Sequence, residues 1–145
     1  VCLRFFTVYG PRQRPDLALA RFAASARSGK SLIRFGDGEQ RRDFTEVGDI
    51  VSGFVSALSQ PFGEGRYAIY NLGSGAPRSA NECIEIVQSA AGSHVPIETA
   101  PVQPGDVPIT FADISAAREA LGFTPHMTLQ QGVARSFAWL SQRHS

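Results

Sequence analysis

Apolar positions in this chain come in two rhythms, short continuous runs and stripes spaced three or four apart, with turn residues dividing them. Residues 2–8 (CLRFFTV) form a run apolar enough to predict a strand covered on both faces, as in a parallel sheet. Tyr9-Gly10-Pro11 ends it, because Pro11 has no N–H to give a ladder. After the basic loop 12–15, Asp16 is placed to cap a helix reaching about Ser28, with Leu17, Ala20, Phe22 and Ala24 on its apolar face and Gly29 as its stop. A strand is expected over 32–35, a turn at Gly36-Asp37-Gly38 and an extended piece over 42–45. Asp49 then opens or caps a helix with Ile50, Val51, Phe54, Val55 and Leu58 on one side. A loop over 61–65 leads to a strand over 67–72, closed by Gly73-Ser74-Gly75.

Ser79 followed by Glu82 has the spacing of a capping box, and Cys83, Ile84, Ile86 and Val87 give the ensuing helix its apolar stripe up to Gly92. Residues 95–100 read as extended and 101–108 as a Pro/Gly loop. Asp113 or Ser115 opens a helix to Leu121, capped by Gly122, and a last helix over 128–142 carries Leu129, Val133, Phe137 and Leu140. No internal repeat interrupts this order. It describes an α/β chain, yet two buried strands do not complete a doubly wound sheet. A chain that opens directly on a core strand creates the expectation that further strands belong upstream of Val1.

Composition adds limits. The 145 residues are 43% hydrophobic and 19% charged, which suits a folded single domain rather than disorder. Fourteen Lys plus Arg against 13 Asp plus Glu leave a formal charge of +1, no electrostatic case for nucleic acid or an anionic membrane. Only Lys30 among the basic residues is a lysine, so planar guanidinium donors suited to phosphate and carboxylate dominate. No apolar run approaches the roughly 18 residues of a membrane span, and no signal-peptide pattern opens the chain. Cys2 and Cys83, both in apolar contexts, read as two buried reduced thiols in a cytoplasmic protein. His94, His126 and His144 have no metal spacing, and no metal site is expected.

The chemistry sits in a series of short segments. They are RFFTVYGP followed by RQRPDLA, FGDG at 35–38, RDFT at 42–45, Asp49-Ile50-Val51, YNLG at 70–73, and QPGDV at 103–107 with Ala112-Asp113. Each is weak alone, but their order and spacing across the whole chain resemble the second half of an extended short-chain dehydrogenase/reductase of the NAD-dependent epimerase/dehydratase family. Within it, RFFTVYGPRQRPDLA with QPGDV looks most similar to UDP-glucuronate 4-epimerases; galactose epimerases of the family usually carry Arg where this chain has Gln103.

The resemblance implies the C-terminal part of a Rossmann-like fold, namely its last parallel strands with a small mixed α/β substrate-binding domain. Residues 1–10, 43–60 and 67–73 would belong to the edge of the Rossmann domain. It also implies a UDP-sugar ligand. Phe35 would offer a π-face and backbone groups to the uracil, although from the residues alone it reads as a core aromatic at a strand end. Arg42 would reach a phosphate, or else is a solvated surface arginine. Asp106 would accept from the ribose hydroxyls, or else stabilises its own turn. Gln103 would add a polar contact. Arg14 would grip the sugar carboxylate bidentately, with Thr7 beside it, or else Arg12 and Arg14 solvate a loop. Phe5 and Phe6 would line the nicotinamide side of NAD, or else are core. Asp43 and Asp49 read as structural, a turn acceptor and a helix cap. Glu46 and Gly48, where the family has an aromatic and an acid, are expected to loosen the start of the helix that follows.

The family's GxxGxxG turn is absent, and none of Tyr9, Tyr67 and Tyr70 has a Lys four residues on. No catalytic residue is therefore expected in this chain, which would be inactive by itself, and NAD would bind the full-length parent. Its expected partners are a UDP-sugar and the N-terminal Rossmann half, with self-association through an exposed sheet edge as a further outcome. Other nucleotide-sugar epimerases, dehydratases or decarboxylases, or a non-catalytic nucleotide-sugar-binding domain, are the alternative readings.

Overall fold

The computed structural model describes residues 1–61 and 67–142; most of the loop expected over 61–65, and His144, lie outside the described residues. The opening apolar run is not one strand. It divides at Phe6 into β1 (Cys2–Phe5) and β2 (Thr7–Tyr9). The amides of Cys2 and Phe6 donate to Ala68 and Leu72, at 2.8 and 3.0 Å, whereas Thr7 N–H donates to Asp43 O at 3.0 Å. Successive N–H groups of a strand point to opposite edges, so the chain pairs with β6 (Ile69–Leu72) on one edge and with β5 (Phe44–Glu46) on the other. Both pairings are parallel. The expected double cover is absent from β1, where Val1 and Phe5 are about half exposed and Cys2 is exposed rather than buried. Alternation had been masked by Phe5-Phe6, one ring out and one packed inward.

Helix α1 (Ala18–Ser28) starts at Leu17 without a side-chain cap, since Asp16 pairs with Arg14 instead. Its buried face is Leu19, Phe22, Ala23 and Ala26, a stripe rotated from the expected one. Strand β3 (Leu32–Phe35) pairs in parallel with β8 (Ile97–Ala100), and β4 (Arg41–Arg42) pairs antiparallel with β7 (Arg78–Ser79). Helix α3 (Ala80–Ala91) opens with the expected capping box: Glu82 N–H donates to Ser79 Oγ at 3.1 Å and Ser79 N–H to Glu82 Oε2 at 2.7 Å. The ends of α1 and α3 are tied by Ser93 Oγ–H donating to Ala26 O at 2.8 Å.

Helix α2 (Val47–Leu58) corrects two expectations. Glu46 caps it, accepting from Gly48 N–H at 2.5 Å, so the helix start is anchored rather than loosened. The Glu46 carboxylate is buried, with Arg135 of α5 (Leu129–Gln142) 3.5 Å away. Asp49 is not the cap; it accepts from the amides of His126 and Met127 and fixes the segment entering α5. Only Ile50, Gly53 and Ala57 of α2 are buried, while Val51, Phe54, Val55 and Leu58 stand exposed. The short helix α4 (Ser115–Leu121) lies on the buried side of α2, its first turn held by Ser115 N–H donating to Asp113 Oδ1.

Two apolar clusters result. One gathers Tyr9, Leu19, Phe22, Leu32, Ile84, Val87, Leu129 and Val133 between α1, α3 and α5. The other gathers Ile50, Leu72, Ile114, Ala117, Leu121 and Phe123, with Leu3, Phe6 and Val8 against it. Asp43 is fully buried at the junction of β4 and β5. Its carboxylate accepts from the amides of Ser74, Gly75 and Ala112 and from Ser74 Oγ–H, at 2.7 to 3.0 Å.

Hydrogen bonds to a charged acceptor are worth more than neutral ones, and Asn at this position turns one acceptor into a donor facing donors. Asp43→Asn is therefore expected to cost about 2–3 kcal/mol in urea unfolding, far more than Asp113→Asn at an exposed site. At the capping box, Ser79→Ala is expected to cost about 1 kcal/mol. The Ser79 amide, aided by Arg78, holds the Glu82 carboxyl below its usual range. A depressed folded value stabilises the protein above the unfolded value, about 4.3, and that contribution fades as pH falls through the folded one. Glu82→Gln should accordingly be less stable than the wild type at pH 7 and lose less on acidification, as followed by urea midpoints between pH 7 and 3.

Candidate functional site

Among the described residues β3 pairs with β8 alone, through the amides of Leu32 and Gly36, so the N–H and C=O of Phe35 lie on its other edge. The Gly36–Gly38 turn is docked on the start of α3: Asn81 Nδ2–H donates to Asp37 O at 3.0 Å, and Arg34 Nη1–H to Asn81 Oδ1 at 3.1 Å. Gln40 Nε2–H then donates to Phe35 O at 2.9 Å. The turn is thereby fixed relative to β4, and Arg42 is carried up beside Phe35. From the other side comes the loop 101–108. Asp106 N–H closes a turn on Gln103 O at 3.1 Å, with Gly105 at φ +83°, a conformation that favours glycine.

These elements enclose a cavity of about 200 Å³ lined by Ala18, Arg21 and Phe22 of α1, Ile33 and Phe35 of β3, Gln40, Arg42, Phe44, Ala80, Cys83 and Asp106. Arg42 and Asp106 form an ion pair across it. The guanidinium of Arg21 lies over the ring of Phe35, 5.5 Å from its centroid, within cation–π range. The cleft thus offers an aromatic ring, the β3 edge at Phe35 with its carbonyl already held by Gln40, two guanidinium groups and one carboxylate. Such a set suits a ligand with a flat polar ring and an anionic group.

Of the residues singled out in the sequence, Phe35, Arg42 and Asp106 meet in this cleft. Gln103 is exposed and only its carbonyl takes part, holding the Asp106 turn. Arg14 points to solvent and pairs with Asp16 at 3.1 Å. Thr7 lies in the β2–β5 pairing, opposite Phe44. Phe5 is half exposed on β1, and Phe6 packs against the second cluster. Sequence reasoning overlooked Arg21 and Gln40. Arg21 had a signal, since it lies three residues, one helical turn, beyond Ala18 in the RPDLA segment; Gln40 had none.

A second cavity, about 220 Å³, lies on the other side of α1 between Tyr9, Leu19, Ala23, Val133, Phe137 and Leu140, and is mostly apolar. Burial and the nearby Glu46 carboxylate push the Tyr9 hydroxyl up from its ordinary value, and it donates to Thr128 O. Among the described residues no cluster of His, Cys, Asp and Glu could hold a metal ion, and no helix is long and apolar enough to cross a membrane.

Comparison with known proteins places this geometry in a family. Residues 1–73 match the NAD dependent epimerase/dehydratase family. A UDP-glucuronate 4-epimerase of Thermodesulfobacterium geofontis is 40% identical over 138 residues, covering 94% of this chain and 42% of that protein. Among solved structures, UDP-glucuronic acid 4-epimerase from Bacillus cereus, in complex with UDP-glucuronic acid and NAD, superimposes with a TM-score of 0.92 at 35% identity, covering 99% of this chain and 45% of the other. UDP-glucose 4-epimerase from Thermotoga maritima, with UDP-glucose, gives a TM-score of 0.91 at 28% identity and covers 99% and 46%. The chain belongs to the NAD dependent epimerase/dehydratase family. It spans less than half the length of these relatives, and its α/β fold is that of part of a Rossmann-like extended short-chain dehydrogenase/reductase.

Burial pushes the Cys83 thiol up to about 12, with the adjacent Glu82 adding to the shift, whereas Cys2 is exposed. Only the thiolate attacks a disulfide reagent. Native protein at pH 8 should therefore react with one equivalent of a chromogenic disulfide reagent, and protein unfolded in guanidinium with two; two fast equivalents in the native state would contradict the burial of Cys83.

Proposed function

We propose that this chain is the sugar-nucleotide-binding portion of an NAD-dependent nucleotide-sugar epimerase, whose full-length form interconverts UDP-glucuronate and UDP-galacturonate through a 4-keto intermediate. The observation that carries this reading is the convergence of Phe35, Arg42 and Asp106 on one cleft from three separate elements. The relatives named above, two of them solved with UDP-sugars, support it.

In this reading the β3 edge at Phe35 meets the uracil, Asp106 accepts from the ribose diol, and Arg42 donates to a phosphate. The Arg42–Asp106 pair must then be exchanged for ligand contacts, which is feasible because both groups are partly solvated and such pairs are weak. Arg14 is free to leave Asp16 for a sugar carboxylate, since that pair is exposed and contributes little. A guanidinium committed to that place favours a carboxylate over a neutral hydroxymethyl group, because an unpaired desolvated charge is costly. Thr7 and Gln103 complete the substrate contacts.

NAD is assigned to the full-length enzyme. This chain has no GxxGxxG turn to hold a pyrophosphate, and contributes at most Phe5 and Phe6 on the nicotinamide side. The proton- and hydride-handling groups likewise belong to the remainder of the fold, so the chain alone is inactive. The free edge and exposed face of β1 and the apolar face of α2 are where that remainder packs, with residues 1–10, 43–60 and 67–73 belonging to the edge of the Rossmann domain.

Calorimetric titration of this chain with UDP, UDP-glucuronate and UDP-glucose tests the reading. Weak binding of UDP and UDP-glucuronate is expected, reduced at least about tenfold by Arg42→Ala, the loss expected for a hydrogen bond to a charged group. No binding of any of the three would contradict a preformed half-site. In the full-length enzyme, Arg14→Ala should raise KM for UDP-glucuronate far more than for UDP-glucose; equal effects would remove the carboxylate role.

A further inference from the structure

The charged groups lining the cleft are Arg21, Arg42 and Asp106. They do not contribute equally. The Arg42 charge is balanced by Asp106, and its Nη1–H is already given to the carbonyl of Arg41 at 2.6 Å. The guanidinium of Arg21 forms no ion pair or side-chain hydrogen bond among the described residues, and rests on Phe35. An anion entering the cleft therefore meets one uncompensated positive charge, and it belongs to Arg21.

The same guanidinium covers a face of the ring assigned above to the base. A cation resting on a ring from an exposed position is held only weakly, so a stronger acceptor draws it away. A diphosphate is such an acceptor, since charge-assisted bonds from Arg to phosphate are among the strong ones. The long, partly solvated side chain starts one turn beyond Ala18, on the cleft side of α1.

Resting on the reading of the cleft as a UDP-sugar site, we propose that Arg21 is a specificity-determining residue for the diphosphate. Before binding it shields the Phe35 ring; on binding it swings to the phosphates, neutralises them where Arg42 alone is insufficient, and uncovers the ring for the base. Phosphate binding and base binding are thereby coupled through one side chain. A nucleoside without phosphates would have to displace Arg21 with nothing offered in return, so the cleft discriminates against it.

The coupling predicts effects of opposite sign. Titrated into the chain by calorimetry at low salt, UDP should bind Arg21→Ala at least about tenfold more weakly than wild type, as for a lost charge-assisted bond. Uridine should bind the same variant as well as or better than wild type, because the ring is already bare. Arg21→Lys, which keeps the charge, should recover most of the UDP affinity. The salt dependence of UDP binding should be shallower in Arg21→Ala than in wild type. Thermal unfolding of both variants shows whether the exposed substitution leaves the fold intact, and Arg21→Gln replaces Arg21→Ala if it does not. Equal weakening of UDP and uridine would reveal a merely structural role and overturn the proposal. So would unchanged UDP binding, while leaving the reading of the cleft in place. If wild-type chain bound neither UDP nor UDP-glucuronate, that reading would fail and the inference with it.

Discussion

Everything near the cleft depends on one buried carboxylate. Asp43 sits between β4 and β5, and its two oxygens collect the amides of the Gly73-Ser74-Gly75 turn and of Ala112, together with the Ser74 hydroxyl. Its own carbonyl accepts from the Thr7 amide, and its amide donates to Thr110 Oγ1. A fully buried charge is tolerable only when so fully hydrogen-bonded. Here it fastens the ends of β2 and β6 and the segment after the Pro/Gly loop to one point, which sets where Arg42, its neighbour, emerges.

From that point the cleft is assembled by polar contacts rather than by a continuous sheet. Among the described residues, four two-stranded ribbons take the place of one. The Gly36–Gly38 turn is held on α3 through Asn81 and closed by Gln40 on the Phe35 carbonyl, the loop bearing Asp106 is shaped by its turn on Gln103, and the Arg42–Asp106 pair joins the two sides. Arrangements of this kind place side chains accurately at the cost of few apolar contacts, and the ribbon edges leave backbone groups free for a ligand or for further strands.

The sequence carried much of this in its turn residues. Ser79 with Glu82 announced α3, and Gly29, Gly92 and Gly122 announced three helix ends, because these signals depend on local backbone geometry. The strand break at Phe6 was hidden, since it reflects a change of partner from β6 to β5 rather than any turn residue. Asp16, Asp49 and Glu46 were misassigned for a common reason: a carboxylate near a helix start has several possible donors, and Asp16 took its neighbour Arg14, Asp49 the distant amides before α5 and Glu46 the cap. The exposed face of α2 could not be foreseen either, because Val51, Val55 and Leu58 have the spacing of a core stripe. In the cleft, motif positions led to Phe35, Arg42 and Asp106; Arg21 was legible only through its helical spacing from Ala18, and Gln40 became visible only in the folded cleft.

The exposed strip on α2 and the free edge of β1 together fit a chain that spans under half the length of its relatives. The cleft is different in kind, since Phe35, Arg42 and Asp106 reach it from three separate elements of this chain. The proposal is that the nucleotide half-site is already formed in this chain. Amide chemical-shift mapping of the labelled chain during titration with UDP tests this most directly. The account predicts shifts concentrated at the first turns of α1, at Phe35 and Gly36, at Arg41 and Arg42, and at Gln103 to Asp106. Shifts confined to the apolar cavity beside Tyr9 and Val133, or no shifts at all, would contradict it.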